Sequence, residues 1–121
     1  MFPVLKMSKR KPRVPTQRQL RVGEEIRHAL AHILERREIR DPDLADKAIT
    51  VTEVRISPDL KNASVYVVPL GGIGDVIEVA GALNRISSFF RRRVANSVHL
   101  RRVPNLFLLA DTTFDEARHI N

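Results

Sequence analysis

The chain has 121 residues, of which 43% are hydrophobic, so it is long enough for one domain with one core and too apolar for a disordered chain. It contains no cysteine, which excludes disulfides, thiol catalysis and thiolate metal sites, and no apolar run approaches the roughly 18 residues of a membrane span. The formal net charge of +7 makes a polyanion the expected partner.

The positive charge is concentrated in two blocks. Residues 1–40 contain eleven Lys/Arg against four Asp/Glu, and residues 85–104 contain six arginines and no acidic residue. Residues 41–84 between them are acidic, with three Lys/Arg against seven Asp/Glu. Two such blocks in one small chain favour nucleic-acid binding over an ordinary solvated surface.

Residues 1–15 are predicted to form a flexible basic arm, followed by a single domain over residues 16–121. The arm is rich in proline and lysine or arginine, and Met7 is an alternative start to Met1. It lacks the apolar segment and cleavage site of a secretory signal, so a cytoplasmic location is expected. A mobile arm can bind phosphates, and its candidate RNA-binding residues are Lys9, Arg10, Lys11 and Arg13.

A first helix is predicted from Thr16, which forms a capping box with Gln19. Apolar residues at helical spacing follow, and the helix is expected to stop before Asp41-Pro42 because proline disfavours helical geometry in the preceding residue. Gly23 lies inside this helix and is expected to weaken its first turn by roughly 1 kcal/mol.

Two strands are predicted next, over 48–56 and 62–70, joined as an antiparallel hairpin by the turn residues Ser57-Pro58-Asp59-Leu60. The apolar phase of the first strand shifts near Glu53-Val54, which indicates a β-bulge there.

The remaining elements are two helices and a strand. The glycine-rich loop over 71–74 precedes a helix with Asp75 and Glu78 as its capping box. Ser87-Ser88 interrupts that helix and caps a third, which runs to about residue 98. The continuous apolar run over 106–110 predicts a buried strand, and Thr113 with Glu116 opens a short terminal helix. The element order is therefore α-β-β-α-α-β.

No catalytic or metal-binding pattern emerges, so we expect no enzyme activity and no cofactor. His28 and His32 have the i, i+4 spacing of metal ligands, but no third ligand follows at a standard distance. The glycine loop over 71–74 has the letters G-x-x-G, yet it joins a strand to a helix, whereas the RNA-clamping loop of KH domains joins two helices.

The arginine-rich helix is the favoured functional element. At 100° per residue, Phe90, Val94 and Val98 share one side and predict a core face. The opposite side and flank carry polar and basic residues without the glutamates that usually accompany a merely solvated surface. The predicted RNA-binding residues of this block are Arg85, Arg92, Arg93, Asn96, His99, Arg101 and Arg102.

Three stretches of the chain resemble the ribosome-binding factor A family. These are the hairpin VTEVRISPDLKNASVYVVPL over 51–70, the helix ALNRISSFFRRRV over 82–94, and LRRVPNLFLLADTTFDEARHI over 100–120. The first helix matches the opening of that family as well, so the resemblance covers residues 16–120. It implies an α+β, KH-like domain of the bacterial type with the order α-β-β-α-α-β.

The resemblance also implies a function. Members of the family bind immature small ribosomal subunits and small-subunit rRNA, assist late rRNA 5′-end processing and cold adaptation, and have no catalytic activity. A ribosome-associated GTPase promotes their release, and a monomer is expected. The family replaces the GxxG loop with a helix-kink-helix containing Ala-x-Gly, whose counterpart here is Ile86-Ser87-Ser88, so the kink is expected to arise through the two serines.

Two alternatives remain from the residues alone. The chain is a general KH-like RNA- or DNA-binding module, or it is a non-catalytic adaptor that docks on proteins through apolar surface. Salt dependence separates them, because phosphate contacts weaken steeply with salt and apolar contacts do not.

Overall fold

A computed structural model describes residues 14–36, 39, 42, 44, 48–69 and 76–112. The predicted order of elements is confirmed, with bounds α1 Gln17–Glu35, β1 Ile49–Ile56, β2 Asn62–Pro69, α2 Val76–Arg85, α3 Ser87–Ser97 and β3 Asn105–Ala110. The predicted glycine loop, the cap at Asp75, the terminal helix from Thr113 and the arm residues 1–13 lie outside the described residues.

The capping box at the start of α1 is confirmed. The Gln19 N–H donates to Thr16 Oγ1 at 3.1 Å, and the Thr16 N–H donates to Gln19 Oε1 at 2.9 Å. The helix ends at Glu35, earlier than predicted. Leu44, farther along the chain, is only 2% exposed and belongs to the core.

Gly23 lies where α1 crosses β1, whereas the sequence predicted only that this glycine weakens the helix. It is buried, and a Cβ built on it would lie 3.0 Å from the carbonyl oxygen of Val54. On the same side of α1, the Gln19 side chain donates to the carbonyl oxygen of Ile56 at 2.9 Å. The absent side chain therefore permits close contact between helix and strand.

The three strands form one sheet in the order β1-β2-β3, with β1 antiparallel and β3 parallel to β2. The bulge lies between Val51 and Glu53, so its position was predicted slightly too late along the strand. Val51 pairs with Val67 and Val54 with Val65, both on the buried face, so the extra residue keeps two valines three positions apart on one side of the sheet.

The hairpin turn has the predicted chemistry. The Leu60 N–H donates to the carbonyl oxygen of Ser57 at 2.8 Å, which leaves Pro58 at the second turn position. The Ser57 hydroxyl and the Lys61 N–H donate to the Asp59 carboxylate, which lowers the pKa of Asp59. Leu60 has a positive φ of 62°, the left-handed conformation that glycine usually adopts, so the backbone conformation of this residue is energetically unfavourable.

The helices cover one face of the sheet, and the core lies between them. Its largest fully buried side chains come from both layers and are Phe90, Ile26, Leu30, Leu83, Val65, Val67, Val94 and Pro104. The prediction that β3 is buried on both faces was wrong, since Phe107 is 49% exposed and Leu109 40% exposed. Leu106 and Leu108 face the helices, whereas no described helix covers the second face.

The outer edge of β3 is closed by a side chain. The Asn84 amide of α2 donates to the carbonyl oxygen of Leu108 at 2.7 Å, and its oxygen accepts from the Leu108 N–H at 2.8 Å. This two-way contact satisfies backbone groups that an edge strand leaves open and fixes α2 against β3.

Candidate nucleic-acid interface

The phase predicted for the arginine helix is confirmed in α3. Phe90 and Val94 are fully buried, with 1% and 0% exposure, and they fix the helix on the core. Arg92 and Asn96 are exposed on the other side. The helix therefore presents a rigid polar and basic surface whose backbone is held in place by apolar packing.

Arg93 lies on the flank of α3 and is half-buried. Its guanidinium carbon is 5.3 Å from the ring centroid of Phe89, a cation–π contact, and Phe89 itself packs edge-on against Phe90 with centroids 5.5 Å apart. The Arg93 side chain is thus oriented by an aromatic ring, and it lies less freely on the surface than the exposed side chain of Arg92.

The segment between α3 and β3 brings a second group of basic residues beside the helix. His99, Arg101 and Arg102 are exposed, whereas Val103 is 9% exposed and Pro104 is fully buried. An open groove runs between this segment and the helix, lined by Ser88, Arg91, Arg92, Ala95, Leu100, Arg101 and Val103. Its floor is largely apolar or small, and its polar lining is mainly guanidinium.

Arg91 is a residue whose role the sequence did not indicate. Its Nε and Nη2 atoms donate to the carbonyl oxygen of Val103 at 3.3 and 3.0 Å. Helical phase placed Arg91 in the block without predicting this contact, because its partner is a backbone oxygen beyond the end of the helix. No sequence pattern marks such an acceptor.

The break between α2 and α3 lies at Ile86, the first residue of the predicted kink Ile86-Ser87-Ser88, and the serines do not cap α3, in contrast to the prediction. Ile86 has φ −113° and ψ 25°, and its N–H bonds to the Leu83 carbonyl at 3.1 Å in a tight turn. Its carbonyl accepts from the Phe89 N–H at 3.0 Å, and no side chain caps α3. Ser87 and Ser88 lie in the first turn of α3, and Ile86 packs against the core.

Two arginines outside the arginine block pair with acidic residues of their own element. Arg27 donates to the Glu24 carboxylate at 2.9 Å and lowers the pKa of that carboxyl, and Arg55 pairs with Glu53 at 2.7 Å. Residues 85–104, in contrast, contain six arginines and no acidic residue. The arginine block therefore contributes positive charge only.

Comparison with known proteins assigns the chain to a family. The ribosome-binding factor A family matches residues 18–121. The chain belongs to the ribosome-binding factor A family. Ribosome-binding factor A of Paramagnetospirillum magneticum is 59% identical over 107 residues, covering 88% of this chain and 75% of the relative, and that of Rhodospirillum rubrum is 54% identical over 115 residues, covering 95% and 70%.

Solved structures of ribosome-binding factor A share the fold. The chain is similar to the solution structure of a Thermotoga maritima protein described as a putative ribosome binding factor A, at 31% identity and TM-score 0.64, covering 81% of this chain and 91% of that one. It is also similar to a Thermus thermophilus ribosome binding factor A homology model fitted into the cryo-EM map of a 30S complex, at 29% identity and TM-score 0.59, covering 74% and 90%. The predicted family and the α+β, KH-like fold are confirmed.

Within this family fold, most of the predicted RNA-binding residues lie on α3 and the segment after it. Arg85, Arg92, Asn96, His99, Arg101 and Arg102 are exposed, and Arg93 is partly covered. The arm residues Lys9, Arg10, Lys11 and Arg13 lie outside the described residues. In the part of the chain that the structure describes, no group of three or more His, Asp or Glu is arranged to hold a metal, and no helix is long and apolar enough to cross a membrane.

Proposed function

We propose that this chain is a non-catalytic assembly factor that binds immature small ribosomal subunits and small-subunit rRNA and assists late 5′-end processing of that rRNA. The observation that carries the proposal is the arginine surface of α3 and the following segment, which has no acidic residue over 85–104. Family membership supports the same conclusion, because a Thermus relative has been fitted into the map of a 30S complex.

The proposed RNA contact is mainly with phosphates. Arg92 and Arg101 line one groove, and Asn96 and His99 lie exposed on α3 and just beyond it. Guanidinium groups bind phosphate oxygens with two parallel hydrogen bonds, which suits a surface that recognises the RNA backbone rather than one sequence. Arg85, at the kink, and Arg93, on the flank of α3, extend the basic surface along the helix pair.

The arm and the domain have separate parts in this proposal. Residues 16–121 form the ribosome-binding domain. The basic residues of 1–15 add phosphate contacts that do not require a fixed side-chain geometry. We further propose that the factor works as a monomer in the cytoplasm, supports growth in the cold and leaves the subunit with the help of a ribosome-associated GTPase. The family likeness supports these points.

Co-sedimentation tests the proposal. Cells lacking the factor are lysed, the purified chain is added, and its distribution over a sucrose gradient is measured. We expect it to sediment with free and immature small subunits and to be depleted from translating ribosomes. Equal amounts in both fractions would contradict an assembly role.

A matched pair of charge removals tests the surface. Arg92→Gln removes a charge from α3, and Arg55→Gln removes one from the open sheet face, where Arg55 pairs with Glu53 and lies 5.5 Å from the Tyr66 ring centroid. At 0.1 M salt one phosphate contact contributes about tenfold in affinity, so we expect Arg92→Gln to weaken rRNA binding by about that factor and Arg55→Gln to change it far less. The reverse order would indicate docking through the open sheet face.

A further inference from the structure

The Arg91 guanidinium, within the arginine block, is directed at the protein's own backbone. Nε and Nη2 both reach the carbonyl oxygen of Val103, at 3.3 and 3.0 Å. Lysine carries its donors on one flexible ammonium and cannot present two fixed N–H groups in this way. The contact joins α3 to the segment that precedes β3.

That segment has one well-anchored end. Pro104 is buried in the core, and the Asn105 N–H donates to the carbonyl oxygen of Lys61 at 2.9 Å. Upstream, Arg101 and Arg102 are exposed in a bend. The Arg91 contact with Val103 therefore lies directly between the anchored end and the two exposed arginines.

The groove shows what this contact achieves. Arg91 and Val103 both line it, as do Arg92 from the helix and Arg101 from the segment. If the segment moved away from α3, Arg92 and Arg101 would no longer face the same groove. By holding the segment against α3, Arg91 would affect phosphate binding through the relative positions of Arg92 and Arg101 as well as through its own charge.

We propose that Arg91 is a positioning residue of the RNA site. It holds the segment over 100–104 against α3, so that Arg92 and Arg101 engage phosphates of one RNA strand from the two sides of the groove. This inference rests on the proposed function, since it concerns the same basic surface. Arg91 itself contributes no direct phosphate contact.

Charge-conserving variants separate positioning from contact. Arg91→Lys keeps the charge and loses the paired donors, and Arg55→Lys is the matched control, since it makes the same exchange at an arginine that pairs with Glu53 on the open sheet face, outside the groove. Affinity for a fluorescein-labelled fragment of small-subunit rRNA is measured by anisotropy as a function of salt. We expect Arg91→Lys to lower the affinity about tenfold at 0.1 M salt and to reduce the salt slope by about one contact, with Arg55→Lys close to the parent.

A double-mutant cycle completes the test, with melting temperature as the control for folding. In a chain that carries Arg101→Met and Arg102→Met, Arg91→Lys should have no further effect, because the residues it positions are gone. Parent-like binding by Arg91→Lys, or an equal loss in both backgrounds, would overturn the inference and leave the proposed function standing. If Arg101→Met with Arg102→Met does not weaken binding, the RNA surface itself is wrong and the inference falls with it.

Discussion

At the scale of single residues, one residue type serves three purposes on one helix. Arg92 is exposed, Arg93 lies over the Phe89 ring, and Arg91 bonds to a backbone carbonyl. Helical phase separated the buried from the exposed side correctly. Helical phase could not predict the different contacts of these three arginines. The contact of Arg93 depends on an aromatic ring in the same helix, and that of Arg91 depends on a carbonyl oxygen that only the tertiary fold brings near.

Two phenylalanines provide a matched test of the core assignment. Phe90 is 1% exposed and Phe107 is 49% exposed. We expect Phe90→Ala to lower the free energy of unfolding by about 3–5 kcal/mol, because it empties a packed site, and Phe107→Ala by about 1 kcal/mol, because less apolar surface is lost. Urea denaturation measures both. Similar losses for the two variants would show that the open sheet face is covered in solution.

At the scale of elements, the periodicities predicted the order of helices and strands and missed features set by contacts between them. The Thr16 cap and the hairpin turn are local, so the sequence revealed both. The two exposed side chains of β3 were missed, because an apolar run does not show whether one or both faces of a sheet are covered. The predicted kink Ile86-Ser87-Ser88 includes the residue at which the helix breaks, but no side-chain hydrogen bond in the structure supports the capping role predicted for the serines.

Two helical glycines should respond oppositely to the same substitution. A Cβ at Gly81 would meet nothing within 4 Å, whereas one at Gly23 would lie 3.0 Å from the Val54 carbonyl oxygen. We expect Gly81→Ala to raise the free energy of unfolding by about 0.5–1 kcal/mol through helix propensity. Gly23→Ala should lower it, because α1 must move away from β1. Thermal and urea unfolding would check both signs, and stabilisation by Gly23→Ala would mean that the contact yields easily.

At the scale of the whole molecule, charge is divided between regions. The acidic stretch over 41–84 contributes β1 and β2, and the arginine block over 85–104 contributes α3 and the segment after it. The sequence predicted this division because charge is countable along a chain. The groove between α3 and the following segment was beyond sequence reasoning, since it is formed by two parts of the chain folding against each other.

The arm over residues 1–15 should contribute to binding and little to stability. Five of residues 6–13 are Lys or Arg, and the exposed Val14 makes no part of the core. Deleting 1–15 should weaken rRNA binding and reduce its salt dependence, since phosphate contacts are lost. Changing Lys9, Arg10, Lys11 and Arg13 to glutamine should reproduce most of that loss. A fall in melting temperature above about 4 °C, roughly 1 kcal/mol for a domain of this size, would show that the arm packs on the domain.

The parallel pairing of β2 with β3 has a kinetic consequence. The hairpin of β1 and β2 closes over a short turn, whereas Asn62 pairs with Asn105 across 43 residues. Closing a long loop costs more entropy than closing a short one, so we expect β3 to dock on a hairpin that has already formed. The segment that carries Arg101 ends at β3, so its contact with α3 should form together with that docking. We therefore expect the groove between α3 and this segment to form late in folding, so that a chain that has not finished folding would lack the proposed RNA surface.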